Sequence, residues 1–302
     1  MLDRITPVLL THNEEQNIGR TLSGLGWAKD IVVVDSGSTD GTLAILARCP
    51  SVRVFKRRFD THAKQWRYAV EETQIATDWI LRLDADYQVS AALVSELAHL
   101  DPNASISAYR IRFDYASFSH KILASLYPAK TILLRKGKFC VWDEGHTEAW
   151  AVKGPIAPVR GRIIHDDWKP TEQWVIGQAR YMQRELEWLR GGRTGLVRWL
   201  RLRPPLMPIA VFLYCLFGKG LIVNGRAGIF YALQRMVAEA VLSLLVLEAK
   251  LRDRAGKSSS DCSEENCAST RGGLTDNFRD TEGKLHRASG GMRTEDDAGY
   301  LP

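Results

Sequence analysis

The chain has 302 residues, of which 45% are hydrophobic and 25% charged, values close to the average for globular proteins. This composition excludes a wholly disordered, collagen-like or coiled-coil chain, and five cysteines exclude a disulfide scaffold. The net charge of +6 indicates an anionic partner without identifying it. Residues 255–302 hold six Lys/Arg and nine Asp/Glu, so residues 1–254 carry +9.

Strand-like and helix-like segments alternate through the first hundred residues. The predicted strands cover residues 5–10, 31–34, 52–55 and 79–83. The predicted helices cover 14–25, 42–48 and 63–73, the first of them with Asn13 near its start. This alternation predicts βαβ units and a parallel sheet, in which ligands bind beyond the carboxyl ends of the strands.

The later part of the chain has a different pattern. Residues 105–165 are strand-rich, whereas 170–190 and 225–254 predict two long helices. From Ala255 onward the chain is rich in Ser, Gly, Asp and Glu, a composition that predicts disorder.

Two acidic residues, Asp84 and Asp86, follow the fourth predicted strand with one residue between them. Carboxylates on one tight turn can face one site, and Mg²⁺ or Mn²⁺ prefers oxygen ligands that it shares with substrate phosphates. A solvated acidic turn is the alternative. The location at the end of a strand favours the metal site.

Asp35 ends the second predicted strand and begins the segment DSGSTDG. Its carboxylate could accept a hydrogen bond from the imide of uracil or from a ribose hydroxyl, and the small residues after it leave room for a nucleotide. An ordinary turn, with Thr39 or Asp40 capping the next helix, explains the same residues.

Four segments together resemble the family 2 glycosyltransferases of the GT-A fold, most closely the branch similar to the β-glycosyltransferases of the lipopolysaccharide core. These segments are LTHNEEQNIGRTL (10–22), VVVDSGSTDGT (32–42), AKQWRYA (63–69) and LRLDADY (81–87). Two later segments add to the resemblance, which covers about residues 1–250: DEGHTEAW (143–150) and GKGLIVNGRAGIFYALQR (218–235).

The resemblance implies an α/β fold of the GT-A type, which is Rossmann-like with a mostly parallel central sheet flanked by helices, and here a C-terminal helical extension. It also implies a nucleotide-sugar donor, usually a UDP-sugar, and an inverting displacement assisted by Mg²⁺ or Mn²⁺. The residues that it places around the nucleotide are Thr11, Asn13, Glu14, Glu15, Asp35, Lys64, Arg67 and Asp84. It makes Asp86 the main metal ligand, with Asp84 near the metal and the ribose.

Three carboxylates, Asp143, Glu144 and Glu148, lie within six residues between two tryptophans. An inverting glycosyl transfer needs one base to take the proton of the attacking acceptor hydroxyl. We favour Glu148, with Glu144 and Asp143 as alternatives. A surface acidic loop is the other interpretation of this segment.

His165 closes a predicted strand and is followed by two acidic residues. One imidazole nitrogen can serve as a third metal ligand, although a single histidine is often a structural residue. Because the family places a histidine at a comparable strand end, the resemblance supports His165 as a metal ligand.

An arginine-rich stretch, Arg190–Arg203, is followed directly by an apolar stretch over residues 206–223. The uninterrupted apolar part, Leu206–Phe217, has 12 residues, whereas a membrane-spanning helix needs about 20. The pattern fits an interfacial or re-entrant segment, with the arginines facing an anionic phospholipid surface. A buried helix with a solvated arginine face is the alternative.

These observations predict an enzyme that transfers a sugar to a lipid-linked or lipopolysaccharide-core-type acceptor at the cytoplasmic face of the inner membrane. The start of the chain carries no secretory signal pattern. The predicted units are a catalytic domain (1–170), a membrane-facing, acceptor-side helical extension (171–254) and a disordered tail (255–302). Alternatives are a polyprenyl-phosphate glycosyltransferase and an inactive nucleotide-sugar-binding scaffold. Nucleic acid is not an expected partner, because the basic cluster lacks a recognition module.

Overall fold

The computed structural model describes residues 1–101, 105–144, 147–191, 196–203 and 206–268. The strands are β1 (Ile5–Thr11), β2 (Ile31–Asp35), β3 (Val52–Lys56), β4 (Trp79–Asp84), β5 (Tyr87–Val89), β6 (Ala108–Ser117), β7 (His120–Lys121), β8 (Lys130–Arg135), β9 (Phe139–Glu144), β10 (Thr147–Val152) and β11 (Ile156–His165). The helices are α1 (Ile18–Ser23), α2 (Thr42–Leu46), α3 (His62–Glu71), α4 (Ala91–His99), α5 (Thr171–Arg190), α6 (Leu196–Arg201), α7 (Leu206–Leu213) and α8 (Gly225–Ala268).

The central sheet has the strand order β3-β2-β1-β4-β8-β6-β11-β5, with β7 paired to β6. The first four strands pair in parallel, and β6 pairs in parallel with β11. Strand β8 is antiparallel to both of its neighbours, and β5 is antiparallel to β11. The parallel first half and the flanking helices confirm the predicted α/β architecture of the GT-A type.

The parallel strands are buried on both faces, which explains their continuous apolar sequences. Alternate residues enter two separate cores. Leu9 and Val33 pack on the side of α1 and α4, whereas Val8 and Val32 pack on the side of α3. Because the strands are fixed from both sides, their carboxyl ends hold the loops that follow them at defined positions.

A separate hairpin of β9 and β10 packs against α3. The rings of Trp66 on α3 and Trp150 on β10 meet edge to face with centroids 5.8 Å apart. The guanidinium of Arg82 on β4 lies 4.6 Å from the centroid of the Trp150 ring. These contacts hold the hairpin, with Asp143 on β9 and Glu148 on β10, beside the carboxyl end of β4.

The C-terminal helices form two further small cores. Helices α5 and α8 pack through Met182, Leu189, Leu242 and Val246, and α7 packs on α8 through Met207, Val211, Tyr231 and Ala232. In this region Arg201 is buried and makes ion pairs with Glu185 and Glu239. The expectation that Arg201 faces phospholipid is therefore wrong, because its charge is neutralised inside the helical unit.

Two predicted helix boundaries also need correction. Helix α1 begins at Ile18 rather than near residue 14, and Asn13 does not cap it, because Asn13 adopts a left-handed conformation with φ of 56° in the preceding loop. Helix α8 continues to Ala268, so residues 255–268 are helical where disorder was expected. The rest of the predicted tail, residues 269–302, lies outside the described residues.

One segment of the described chain, Leu221–Ala255, is long and apolar enough to cross a membrane by length and composition alone. Of its most apolar window, 44% is buried inside the molecule, where α8 packs against α5 and α7.

Candidate active site

The loops after β1 and β2 are joined through Asp35. Thr11 and Asp35 are register partners in the two strands, and the Thr11 hydroxyl donates to the Asp35 carboxylate at 3.0 Å. Asp35 is 0% exposed and also accepts from the backbone N–H groups of Gly37 and Ser38 and from the Ser38 hydroxyl. Since both carboxylate oxygens hold the loop, contact of Asp35 with a base stays a prediction that requires Ser38 to turn away.

Asn13 and Glu15 fasten the same two loops. The side-chain oxygen of Asn13 accepts from the backbone N–H of Thr39 at 2.8 Å, and the Glu15 carboxylate accepts from that of Gly41 at 2.8 Å. Both side chains thus shape the edge of the site through the backbone of the neighbouring loop.

Glu14 points toward the segment that follows β11. Its carboxylate accepts hydrogen bonds from Asn17 and from the ammonium group of Lys169. Burial raises the pKa of Glu14 to about 7, although the positive charge of Lys169 opposes that shift. Lys169 had no predicted role, and a single lysine outside every motif gives no signal in the sequence.

The structure brings Asp86 and His165 together. Because His165 on β11 is the register partner of Tyr87 on β5, it lies beside the preceding Asp86, and its Nε2 is 3.1 Å from the Asp86 carboxylate. The other carboxylate oxygen of Asp86 and the Nδ1 of His165 are buried and have no hydrogen-bond partner among the described residues. The interaction with His165 and other positive charges lower the pKa of Asp86 to about 2, although burial opposes the shift.

Three tyrosine rings surround His165. The ring centroids of Tyr87, Tyr115 and Tyr127 lie 5.3, 4.7 and 4.6 Å from that of the imidazole. The ammonium group of Lys130 donates to the hydroxyls of Tyr127 and Tyr87 at 2.6 and 3.1 Å. These contacts hold the imidazole in one orientation beside Asp86.

Some of the atoms around Asp86 and His165 are suitable ligands for a hard divalent cation. An unpaired carboxylate oxygen of Asp86 and a neighbouring imidazole are suitable ligands, and the nearby Asp84 carboxylate is exposed. Within the described parts of the chain, no group of three or more His, Cys, Asp or Glu side chains could hold a metal ion. A cation here would therefore take further oxygen ligands from the substrate or from water.

Glu148, the favoured base, is held by Arg82. An Arg82 nitrogen donates to the Glu148 carboxylate at 2.5 Å, and the Trp150 indole N–H lies 3.4 Å from the same oxygen. Burial would raise the pKa of Glu148, but the charge of Arg82, the charges of His62 and Lys130 and a backbone hydrogen bond together outweigh it, so the pKa is lowered. Glu148 is thus ionised at neutral pH and able to accept a proton. Arg82 stands in the quoted LRLDADY segment but had no predicted role.

Of the two alternatives to Glu148, the structure describes the side chain of Asp143 but not that of Glu144. Asp143 is exposed, is the register partner of Glu148 on the hairpin, and accepts from the Thr61 hydroxyl at 3.0 Å. Glu144 ends β9, and its side chain lies outside the described residues.

Lys64 and Arg67 lie on the outer side of α3. Lys64 pairs with Asp60 at 3.7 Å, and Arg67 donates to the backbone oxygen of Val141 at 3.0 Å. The contacts of the described residues place neither cation beside Asp84 or Asp86. Their predicted approach to the nucleotide stays a prediction.

Helix α5 covers one side of this region. Tyr181 is 40% exposed, yet surrounding protein and the carboxylates of Asp84 and Glu148 raise its pKa to about 12. The charges of Asp84 and Glu148 therefore act on the part of α5 that carries Tyr181. The sequence pattern predicted α5 but did not indicate which of its faces borders the site.

The two acids after His165 tie this segment to α1. Asp166 is buried and accepts from Arg20 at 2.8 Å, and Asp167 accepts from Asn17 at 2.7 Å. Neither contacts the imidazole in the described structure, so both position the backbone that carries it.

A family model described as glycosyl transferase family 2 matches residues 7–153, which include β1 to β10 and most of the residues above. The chain carries a family 2 glycosyltransferase domain.

Curated relatives of the glycosyltransferase domain match about a third of the chain. The lipopolysaccharide core biosynthesis glycosyltransferase LpsC of Rhizobium meliloti is 33% identical over 101 residues, 32% of this chain and 36% of that protein. An uncharacterized glycosyltransferase of Rickettsia felis is 30% identical over 100 residues, 33% of this chain and 34% of that protein. The match thus spans about a third of the length of these relatives.

Solved glycosyltransferase structures are more distant. TarS 1–349 of S. aureus in complex with UDP-GlcNAc has 11% identity and a TM-score of 0.45, covering 78% of this chain and 90% of that chain. Glucosyl-3-phosphoglycerate synthase of Mycobacterium tuberculosis, solved with Mn²⁺ and UDP, has 20% identity and a TM-score of 0.31, covering 37% and 44%.

Proposed function

We propose that the chain is an inverting, metal-dependent glycosyltransferase that uses a nucleotide-sugar, a UDP-sugar in the first instance, and a lipid-linked or lipopolysaccharide-core-type acceptor. The observation that carries this proposal is the Asp86–His165 pair, which lies beside the exposed Asp84 at the carboxyl edge of the sheet of a family 2 glycosyltransferase domain. The similarity to LpsC supports the acceptor class.

In this proposal Asp86 and His165 hold Mg²⁺ or Mn²⁺, with Asp84 close to the ribose and the metal. When bound, the cation offsets the negative charge that develops on the leaving diphosphate. The loops held by Thr11, Asn13, Glu15 and Asp35 form the nucleotide side, where backbone groups and small residues leave space for the donor.

The proposed base is Glu148. Its carboxylate takes the proton of the acceptor hydroxyl while that oxygen forms a bond to the anomeric carbon. The bond from the anomeric carbon to the diphosphate breaks at the same time, and the nucleoside diphosphate leaves with the electron pair. Arg82 keeps Glu148 ionised and fixed beside β4.

The helical residues 171–254 are proposed to form the acceptor side and to contact the membrane surface, whereas residues 1–170 carry the donor site. The support is an apolar face of exposed side chains on the segment from α7 to the turn before α8, the first four of them three or four residues apart. This apolar face comprises Leu206, Ile209, Leu213, Phe217, Ile222 and Val223. Exposed apolar surface of this kind marks an interaction site, and an interfacial helix places it in the lipid headgroup region.

The experiment is sugar transfer by the purified full chain. UDP-sugars with a radiolabelled sugar are incubated with Mn²⁺ and with lipid extracts of Gram-negative cells, and lipid-bound label is measured and the product identified by mass spectrometry. We expect label in the lipid fraction with wild type and none with Asp86→Ala. UDP-sugar binding without transfer to any extract would support the inactive scaffold instead, and label confined to polyprenyl phosphate would support the other acceptor class.

A further inference from the structure

Arg235 on α8 is a buried cation without an anionic partner. It is 8% exposed, its Nε is buried without a hydrogen-bond partner, and among the described residues it makes no hydrogen bond or ion pair. The nearest acid on the same helix face, Glu239, is one turn away and is bound to Arg201. A buried charge is costly unless it is paired, so Arg235 calls for an anionic partner beyond the described residues.

Aromatic rings hold the guanidinium in place. Its central carbon lies 5.6 Å from the ring centroid of Tyr231 and 6.0 Å from that of Trp174 on α5. Tyr231 in turn packs on Tyr115, with centroids 4.8 Å apart, and Tyr115 packs on His165 at 4.7 Å. A continuous series of contacts therefore links Arg235 to the proposed metal site: Arg235 lies by Tyr231, Tyr231 packs on Tyr115, and Tyr115 packs on His165.

Helix α5 connects Arg235 to the proposed base. Trp174, Gln178 and Tyr181 lie on one face of the helix, and the rise from the first to the last is about 10 Å at 1.5 Å per residue. Trp174 is at the Arg235 end, whereas the charges of Asp84 and Glu148 act on Tyr181 at the other end. The side-chain oxygen of Gln178, between them, is buried and accepts no hydrogen bond within the part of the chain that the structure describes. About 10 Å is the length of one or two sugar rings.

We infer that Arg235 binds an oxyanion, a phosphate or a carboxylate, carried by the acceptor, with the acceptor lying along α5 and its attacking hydroxyl at Glu148. The inference rests on the proposed function, because only a transfer reaction requires an acceptor here. The donor diphosphate is assigned to Asp86 and His165 on the other side of Tyr115, which leaves Arg235 for the acceptor. The guanidinium matches either oxyanion through paired N–H donors.

The first test is a titration of the full chain labelled with ¹⁵N-arginine, with UDP and Mg²⁺ present to fill the donor site. Sodium phosphate and sodium acetate are added separately at constant ionic strength, and the Nε–H signal of Arg235, assigned with Arg235→Lys, is followed by NMR. We expect a saturable shift with one or both oxyanions and none for the exposed Arg252 on the same helix. Saturation by phosphate alone or by acetate alone identifies the group on the acceptor. Absence of a saturable shift with both would overturn the inference.

The second test uses the transfer reaction with lipid extract. Arg235→Gln should raise the acceptor concentration needed for half-maximal rate by about tenfold or more, with the KM for the UDP-sugar unchanged and partial rescue in Arg235→Lys. An equal rise in both KM values would indicate a packing role instead. If the wild-type chain transfers no sugar, the proposed function fails, whereas the titration still reports on Arg235 by itself.

Discussion

The imidazole of His165 and the carboxylate of Asp86 meet at 3.1 Å although 79 residues separate them in the chain. The antiparallel pairing of β5 with β11 creates this contact, because it sets His165 opposite Tyr87 and hence beside Asp86. The first prediction concerns this pair. His165→Gln should weaken Mn²⁺ binding about 10- to 100-fold and Asp86→Asn should abolish it, since each removes a ligand.

The measurement is calorimetry of Mn²⁺ binding in the presence of UDP. His99→Gln on α4 is a matched control, because His99 is exposed and bonds only to the backbone oxygen of Ser95 in the described structure. Equal Mn²⁺ affinity in His99→Gln and His165→Gln would remove His165 from the metal site.

The sequence located the acidic pair and His165, but it could not show that they meet. Strand ends in βαβ units share one edge of a sheet, which was enough to place Thr11, Asp35 and Asp84 together. Contact between Asp86 and His165 depends instead on the register of an antiparallel edge strand, and a register of this kind leaves no local pattern in the sequence.

In the arginine-rich stretch, Arg190–Arg203, the prediction from the sequence was wrong for Arg201. The charges of this stretch were interpreted as one surface, yet Arg201 turns inward to Glu185 and Glu239, which lie on two different helices. Helical spacing alone cannot identify such a residue, because its partners come from distant parts of the chain. The apolar helix Leu206–Gly218 is shorter than a membrane span, as the 12-residue run Leu206–Phe217 predicted, but only the structure shows which of its side chains remain exposed.

The second prediction concerns the base. Glu148→Gln should lower kcat by about 10²–10⁴-fold while UDP-sugar binding is retained, because the amide cannot accept the acceptor proton. Asp143→Asn is the comparison, as Asp143 is the register partner of Glu148 on the same hairpin. Single-turnover transfer and donor binding are measured for both variants. Loss of transfer in Asp143→Asn with an active Glu148→Gln would exchange the two roles.

The third prediction is a pH dependence of stability. The pKa of Glu14 is about 7 in the folded protein and 4.5 as its ordinary value. Between these values the folded state holds a proton that the unfolded chain releases, so this group makes the protein less stable as pH rises from about 4.5 to 7. Glu14→Gln removes this loss. In urea unfolding, the stability of the variant relative to wild type should therefore be higher at pH 8 than at pH 5.

The variant Lys169→Met tests the titration of the Glu14 carboxyl group in a second way. Without the ammonium group, which lowers the pKa of Glu14 in the folded protein, the pH range of stability loss should still begin near 4.5 but extend to higher pH. Parallel pH profiles for wild type, Glu14→Gln and Lys169→Met would show that Glu14 does not titrate in this range.

The fourth prediction concerns Arg201. Arg201→Met removes the cation that forms ion pairs with the buried carboxylates of Glu185 and Glu239, which should lower the free energy of unfolding by about 3–5 kcal/mol. Arg198→Met should cost only about 1 kcal/mol, because Arg198 is partly exposed and makes one hydrogen bond to the backbone oxygen of Leu189. Urea unfolding monitored by circular dichroism gives both values. A similar loss of unfolding free energy in the two variants would mean that the buried ion pairs of Arg201 contribute no more to stability than the contacts of Arg198.

The fifth prediction concerns the apolar face. Phe217 and Val223 are 64% and 71% exposed, and burying both in the headgroup region should contribute about 1.5–3 kcal/mol each. Phe217→Ser with Val223→Ser should therefore reduce flotation with phosphatidylglycerol-containing vesicles by tenfold or more. Val175→Ser with Ile176→Ser, on the exposed side of α5, is the matched control.

Salt separates this apolar mechanism from an arginine-based one. At 1 M salt the Debye length falls to about 3 Å, so attraction to anionic lipid is screened while apolar insertion persists. We expect wild type to float at high salt, whereas binding by arginines alone would be lost. Sedimentation of the wild type and of the Phe217→Ser, Val223→Ser double variant measures whether the apolar face mediates self-association. If the serine substitutions abolish self-association and leave flotation unchanged, the apolar face contacts a second copy of the chain and the membrane proposal is wrong.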